Sequence, residues 1–164
     1  MLDKNLLLVD IGGTNIRYAY SNIGDSDFVL ENKAELDSLN DFDNLMSELL
    51  AEADVKNIVF SVAGPKVNNS IKMTNRNFKI DAEAIKQLFN LESCHLLNDW
   101  ESIGYSMKTF SENDFDNFKE GEPFNDIFLV VGPGTGLGAS VISGNNVIAT
   151  EIGNTNLGLS LIHI

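Results

Sequence analysis

Carboxylates close apolar runs at three places in this chain. Asp10 ends "NLLLVD", Asp99 follows "CHLLN", and Glu151 ends "VIATE". Two glycine-rich loops accompany them. "DIGGTN" places Ile11, Gly12, Gly13, Thr14 and Asn15 after Asp10, and "GPGTGLG" runs from Gly132 to Gly138. Glycines let a backbone turn sharply and approach a ligand, and the N–H groups they expose can cradle phosphate oxygens. An acid beside such a cradle, Asp10, could hold Mg²⁺ directly or through water. The same Gly-Gly pair also suits a plain two-residue hairpin turn, and the residues alone leave both readings open.

The second loop is not a Walker loop, because no Lys-Ser or Lys-Thr follows it. Gly134, Gly136 and Ala139 satisfy the loose dinucleotide pattern, but that pattern must open a helix to place a pyrophosphate at its N-terminus. Here "ASVISGNNVIATE" follows, β-branched and broken by a hairpin turn. Two Gly-Thr loops, each between strands, fit better as two jaws on one polyphosphate. Gly134, Thr135, Gly136 and Gly138 are then the second set of phosphate-binding residues.

Asp99 has two readings. It can cap the helix that "WESIGYSM" predicts, worth about 1 kcal/mol. It can also be a general base that takes a proton from an attacking hydroxyl during phosphoryl transfer, with Asn98 bonding the substrate beside it. The local sequence favours the cap, and the phosphate-type loops favour the base. Glu151, followed by Gly153 and Asn154, can accept two hydroxyl hydrogen bonds, as the vicinal diol of a sugar would offer, or be a solvated loop acid. Thr74 and Asn75 in "MTNRNF" are turn formers or substrate contacts. His95 reads as a core or edge histidine, with no partner at metal spacing. Phe28, Phe60, Phe78 and Phe89 read as packing residues.

The elements must hold these groups in place. "NLLLVDIGG", "NIRYAYSN" and "FVLENKAEL" predict a three-stranded meander. The period then changes. Phe42, Leu45, Met46, Leu49 and Leu50 fall on one helical face, with Ser38 or Asn40 as candidate N-cap. "NIVFSVAGP" is a strand stopped by Gly64-Pro65, "VNNSIKMTN" a turn with a short strand, and "DAEAIKQLF" a helix capped by Asp81. "CHLLND" is a strand and "WESIGYSM" a helix. A polar, acidic connection over 111–126 leads to strand, glycine loop and strand, then an "SGNN" turn and a last strand. The second opening repeats the first: apolar strand, Gly-Thr loop, β-rich strand. This predicts an α/β protein of two related lobes, 1–108 and 109–164, the second only begun.

Composition narrows the partners. The net charge of −13 repels phosphate backbones, so nucleic acid is not an expected partner. A single cysteine, Cys94, excludes an internal disulfide and a Cys-rich zinc site. The apolar run at the N-terminus is too short for a signal peptide or a membrane span, so a cytoplasmic protein without membrane contact is expected.

The motifs "DIGGTNIRYA", "SVAGP", "MTNRNF", "LLNDWES", "VVGPGTGLGASVI" and "TEIGN", in this order, resemble the bacterial glucokinases of the hexokinase, actin and Hsp70 ATPase superfamily. The resemblance runs to about "EIGN". It implies RNase H-like lobes closing on ATP and glucose. It makes Asp10–Thr14 the first phosphate loop with Asp10 near Mg²⁺, and Gly134–Gly138 the second. It makes Asn98 and Asp99 sugar contacts, Asp99 the base on the 6-hydroxyl, and Glu151 a ligand of ring hydroxyls. Asn154 stands where the family usually has His, which bears on the sugar contact there. The family continues for roughly as long again, so the chain is expected to be the front part of a longer enzyme, inactive alone, that forms a homodimer when complete. Two other functions compete. One is a kinase for another hexose or an N-acetylated amino sugar. The other is a non-catalytic sugar-binding regulator, which the start of "DIGGTN" at Asp10 disfavours by leaving no room for a helix-turn-helix.

Overall fold

The computed structural model describes residues 2–12, 15–35, 39–73, 79–119, 121–122, 124–133 and 137–152. The chain divides into two compact units, 1–99 and 100–164. The first contains β1 (Leu6–Ile11), β2 (Asn15–Ser21), β3 (Val29–Glu35), α1 (Leu39–Glu52), β4 (Asn57–Val62), β5 (Lys66–Val67), β6 (Ser70–Lys72), β7 (Lys79–Asp81), α2 (Ala82–Leu88) and β8 (Ser93–Asn98). Helix α3 (Asp99–Ser106) follows directly. Two single 3₁₀ turns, Met107–Thr109 and Glu112–Asp114, then lead to β9 (Ile127–Pro133), β10 (Leu137–Ser143) and β11 (Asn146–Thr150).

Among the described residues the first unit is built on a five-stranded sheet in the order β3-β2-β1-β4-β8. The β1–β2–β3 part is antiparallel, while β1, β4 and β8 run parallel. One face of the parallel part forms ladders of level residues: Leu7, Ile58 and Cys94, then Val9, Phe60 and Leu96. All are buried. Helix α1 contributes Phe42, Met46 and Leu49 to the same core, with the Phe42 and Phe60 rings 6.0 Å apart. These three residues recur at spacings of four and three, so one stripe of the helix is apolar. Burying each of these large side chains is worth about 1.5–3 kcal/mol. Tyr20 is fully buried, and its hydroxyl donates to the Leu49 carbonyl at 2.9 Å and to Glu52 at 3.2 Å. Burial, and then the Glu52 carboxylate, push that phenol well above the usual tyrosine range.

Local chemistry sets the smaller pieces. Asn68 and Asn69 have φ of 49° and 57°, as a type I′ turn between β5 and β6 requires. Asp81 caps α2, accepting from the Ala84 amide at 3.2 Å. Gly64 has φ 141°, and a Cβ there would lie 2.9 Å from the Lys72 carbonyl oxygen. Both backbone angle and space demand glycine at that position.

The second unit contains the antiparallel meander β9–β10–β11. Ala139, Ser140, Ile142 and Val147 are buried in it. Helix α3 joins this unit because Gly104 approaches β10 and β11 closely: a Cβ on it would meet Ser140 Oγ at 2.7 Å and the Val147 side chain. The division between the compact units falls after Asp99.

Most predicted elements lie where the periodicity put them. Phe60 is in the core and Phe89 packs against it, but Phe28 is 54 % exposed, in the irregular segment before β3. His95 is exposed on β8, an edge strand. The candidate cap Ser38 and Phe78 lie outside the described residues.

Two predictions follow from the core. Gly64→Ala is expected to lower stability by about 1–3 kcal/mol, the cost of a forced backbone region, read as a shift in the urea midpoint. Burial, then the charges of Glu83 and Asp81, push the Cys94 thiol from 9.0 to about 12. The folded pKa is the raised one, so the contribution to stability is complete below pH 9 and is lost as pH rises from 9 towards 12. The native thiol should therefore resist a disulfide reagent at pH 8 and react once urea unfolds the chain; equal rates in both states would contradict this burial.

Candidate functional site

Three parallel strands end together in the first unit. Ile11 of β1 is level with Val62 of β4, and Val62 with Asn98 of β8. One residue earlier Asp10, Ser61 and Leu97 form another row. Side chains alternate along a strand, so the two rows face opposite sides of the sheet. Ile11 and Val62 are buried and Asn98 is only 3 % exposed, so Asn98 lies on the core face. A buried amide needs partners. Asn98 Nδ2 donates to the Gly64 carbonyl at 2.9 Å, which ties the end of β8 to the turn after β4.

On the other row Ser61 Oγ donates to Asp10 Oδ1 at 2.9 Å. The half-buried Asp10 carboxylate is thus oriented by a neighbour on the adjacent strand. Beyond it the Gly12 amide donates to the Asn15 carbonyl at 3.0 Å, and the Ala63 amide to the Ile11 carbonyl at 3.3 Å. Residues 12–14 therefore connect β1 to β2, with Asp10 and Ile11 as the last residues of the strand that enters the connection. The carboxyl ends of parallel strands are where α/β proteins most often bind ligands. From the sequence alone Ser61 has no assigned role, and Gly64 only that of ending a strand. The signal was present in "SVAGP": a hydroxyl one position before the strand end, level with the Asp10 carboxylate, and a glycine where the chain must turn.

Asp99 is the first residue of the eight-residue helix α3 and is half-buried. A carboxylate at a helix N-terminus interacts favourably with the helix dipole. In the second unit, Gly132 of β9 is paired with Gly138 of β10, and Pro133 with Leu137, so 134–136 connect the two strands. Helix α3 lays Trp100 on this hairpin, in contact distance of where a Cβ of Gly132 or Gly138 would stand. Thr150 pairs with Ala139 and its hydroxyl donates to the Ala139 carbonyl at 2.8 Å. The exposed Glu151 therefore leaves β11 at the end of the sheet where Gly138 lies. The structure thus brings Asp10 and Asn98 to the carboxyl end of the first sheet's parallel strands, on opposite faces, and Gly138 and Glu151 to one end of the second sheet. Gly13, Thr14, Thr74, Asn75, Gly134, Thr135, Gly136 and Asn154 lie outside the described residues.

No cluster of three or more His, Cys, Asp or Glu fit to hold a metal occurs among the described residues. Mg²⁺ does not require one, because it usually takes one or two carboxylates, water and the phosphates of a nucleotide. A half-buried carboxylate with one oxygen held by Ser61, beside a glycine turn, fits that mode. Among the described residues no helix is long and apolar enough to cross a membrane.

The glucokinase family model matches residues 7–160. The glucokinase of Campylobacter jejuni subsp. doylei is 31% identical over 143 residues, which cover 82% of this chain and 41% of that protein. The crystal structure of a glucokinase from an Antarctic psychrotroph matches with a TM-score of 0.74 at 25% identity, over 96% of this chain and 53% of that one. A ROK family glucokinase from Streptomyces griseus, in complex with glucose and AMPPNP, shares the fold with a TM-score of 0.65 at 18% identity, over 87% of this chain and 46% of that one. The chain spans less than half the length of the curated relatives it matches. Its fold is that of the sugar kinases of the actin and hexokinase class, and the chain belongs to the glucokinase family.

Proposed function

We infer that the protein of which this chain forms part is an ATP-dependent sugar kinase acting on the 6-hydroxyl of glucose. The observation that carries this reading is the shared carboxyl end of the parallel strands: an oriented carboxylate at the end of β1, a fixed amide at the end of β8, and a second carboxylate, Asp99, opening the next helix. Family membership supports a sugar kinase, and the glucose and AMPPNP bound by the Streptomyces griseus relative support the substrate pair.

In this reading Asp99 accepts the proton of the attacking hydroxyl as the γ-phosphoryl group is transferred in line. Asn98 meets a sugar hydroxyl, while its nitrogen stays on Gly64. Ser61 holds the Asp10 carboxylate in one orientation, and Asp10 would hold a magnesium ion there, directly or through water. That ion, when bound, would neutralise charge on the phosphates. The two glycine-rich segments, with Gly12, Gly13 and Thr14 in the first and Gly134, Thr135 and Gly136 in the second, are the phosphate-binding residues of this reading. Glu151 and Asn154 bind ring hydroxyls, as Thr74 and Asn75 do from the segment after β6. The resemblance leads one to expect His where Asn154 stands, so a panel of hexoses and N-acetylated amino sugars decides the acceptor.

Asp99→Asn in the intact protein is expected to lower kcat by about 10²–10⁴-fold while ATP binding stays near normal, since a positioned base contributes that much. Near-normal turnover in this variant would end the assignment. Ser61→Ala should raise the Mg²⁺ concentration for half-maximal rate by on the order of 10-fold, the usual effect of removing a group that orients a metal-binding carboxylate. A Mg²⁺ titration of initial rates checks it.

A further inference from the structure

The Trp100 indole rests on two glycines that face each other across β9 and β10. Gly132 and Gly138 are register partners. A Cβ on Gly132 would lie 2.8 Å from Trp100 Cζ2 and closer still to Cη2, and a Cβ on Gly138 would fall inside the pyrrole edge of the same ring. Neither glycine has a positive φ, in contrast to Gly64 and Gly144. Backbone conformation therefore does not call for glycine at either position, and room for the ring does. One turn further along α3 the relation is reversed: the helix supplies the bare Cα, Gly104, and β10 and β11 supply the side chains of Ser140 and Val147. The helix is thus fixed to the sheet at both ends, by a ring in a glycine seat and by a glycine against side chains. Trp100 is peptide-bonded to Asp99, so the seat determines where the first turn of α3 begins. The same two glycines flank the connection 134–136.

We propose that Trp100 is a positioning residue for Asp99, its indole seated on the facing glycines Gly132 and Gly138 so that the start of α3 is fixed on the β9–β10 strand pair. This rests on the sugar-kinase reading for its catalytic consequence. It also gives Gly138 a role other than phosphate approach: its missing side chain makes space for the indole.

A double-mutant cycle tests the proposal in the intact protein. Trp100→Ala is expected to lower kcat by on the order of 10- to 100-fold, the cost of a misplacement of about 1 Å, with KM for ATP within twofold. Trp100→Phe, which keeps an aromatic ring in the seat, should recover most of that loss. Gly138→Ala should lower kcat similarly in the Trp100 background and have no further effect in the Trp100→Ala background, because the methyl then occupies vacated space. Trp100 is the only tryptophan, so Gly138→Ala alone should also shift the emission to the red as the ring is displaced into water. If Gly138→Ala does not fold, the W100A/G138A double variant should restore folding, and failure of that rescue overturns the seat. Additive losses, or a Gly138→Ala effect confined to KM for ATP in both backgrounds, would assign Gly138 to the nucleotide and overturn the proposal. If the unsubstituted protein turns over no sugar, the kinase reading fails and the positioning role with it, while the emission shift still reports whether the seat exists.

Discussion

The parallel register of β1, β4 and β8 is the constraint on which the first unit depends. It places Val9, Phe60 and Leu96 in one buried rung and Asp10 and Ser61 on the opposite side of the sheet. Side chains alternate with a period of two, so a slip of one residue would turn Asp10 into the core and expose its apolar neighbours. An unpaired carboxylate in that core would cost several kcal/mol. The packing under α1 and the position of the carboxylate are therefore fixed by the same pairing. The Ser61–Asp10 hydrogen bond exists because these residues are level in that register.

Two buried contacts then close the strand ends. Asn98 lies in a row otherwise filled by Ile11 and Val62, and its amide is compatible with that place because the Gly64 carbonyl accepts from it. Gly64 can present its carbonyl there only through a backbone angle and a fit against Lys72 that exclude a side chain. In the second unit glycine serves a different end. Gly132 and Gly138 have ordinary backbone angles and are bare because an indole covers them.

The periodic elements were legible in the sequence. Alternation in "NLLLVD" and the apolar stripe from Phe42 to Leu50 each reflect a single buried face, and such patterns survive in one dimension. Asp81 was legible as a cap because capping is local. The partners of the site residues were not legible. Ser61 and Asp10 are 51 positions apart and Asn98 and Gly64 are 34 apart, and each pair meets only through strand pairing. The glycine seat of Trp100 was hidden for the same reason, since "GPGTGLG" shows glycines without showing what lies over them. Phe28 misled in the other direction. An aromatic at the mouth of a strand looks like core, but it lies before β3 begins and faces solvent.

The first unit is one uninterrupted stretch of chain, and this has a consequence for synthesis. Its sheet is completed by β8, the last strand of the unit to leave the ribosome, while the meander and α1 are already outside. Domains of this kind fold as units during translation, N-terminal first. The free edge of β4 must wait for β8, 36 residues further along the chain, or a few seconds at ordinary rates. During that interval the β4 edge is open to pairing with other chains. A slow stretch of codons after β8, rather than before it, would let the sheet close before the glycine hairpin is made.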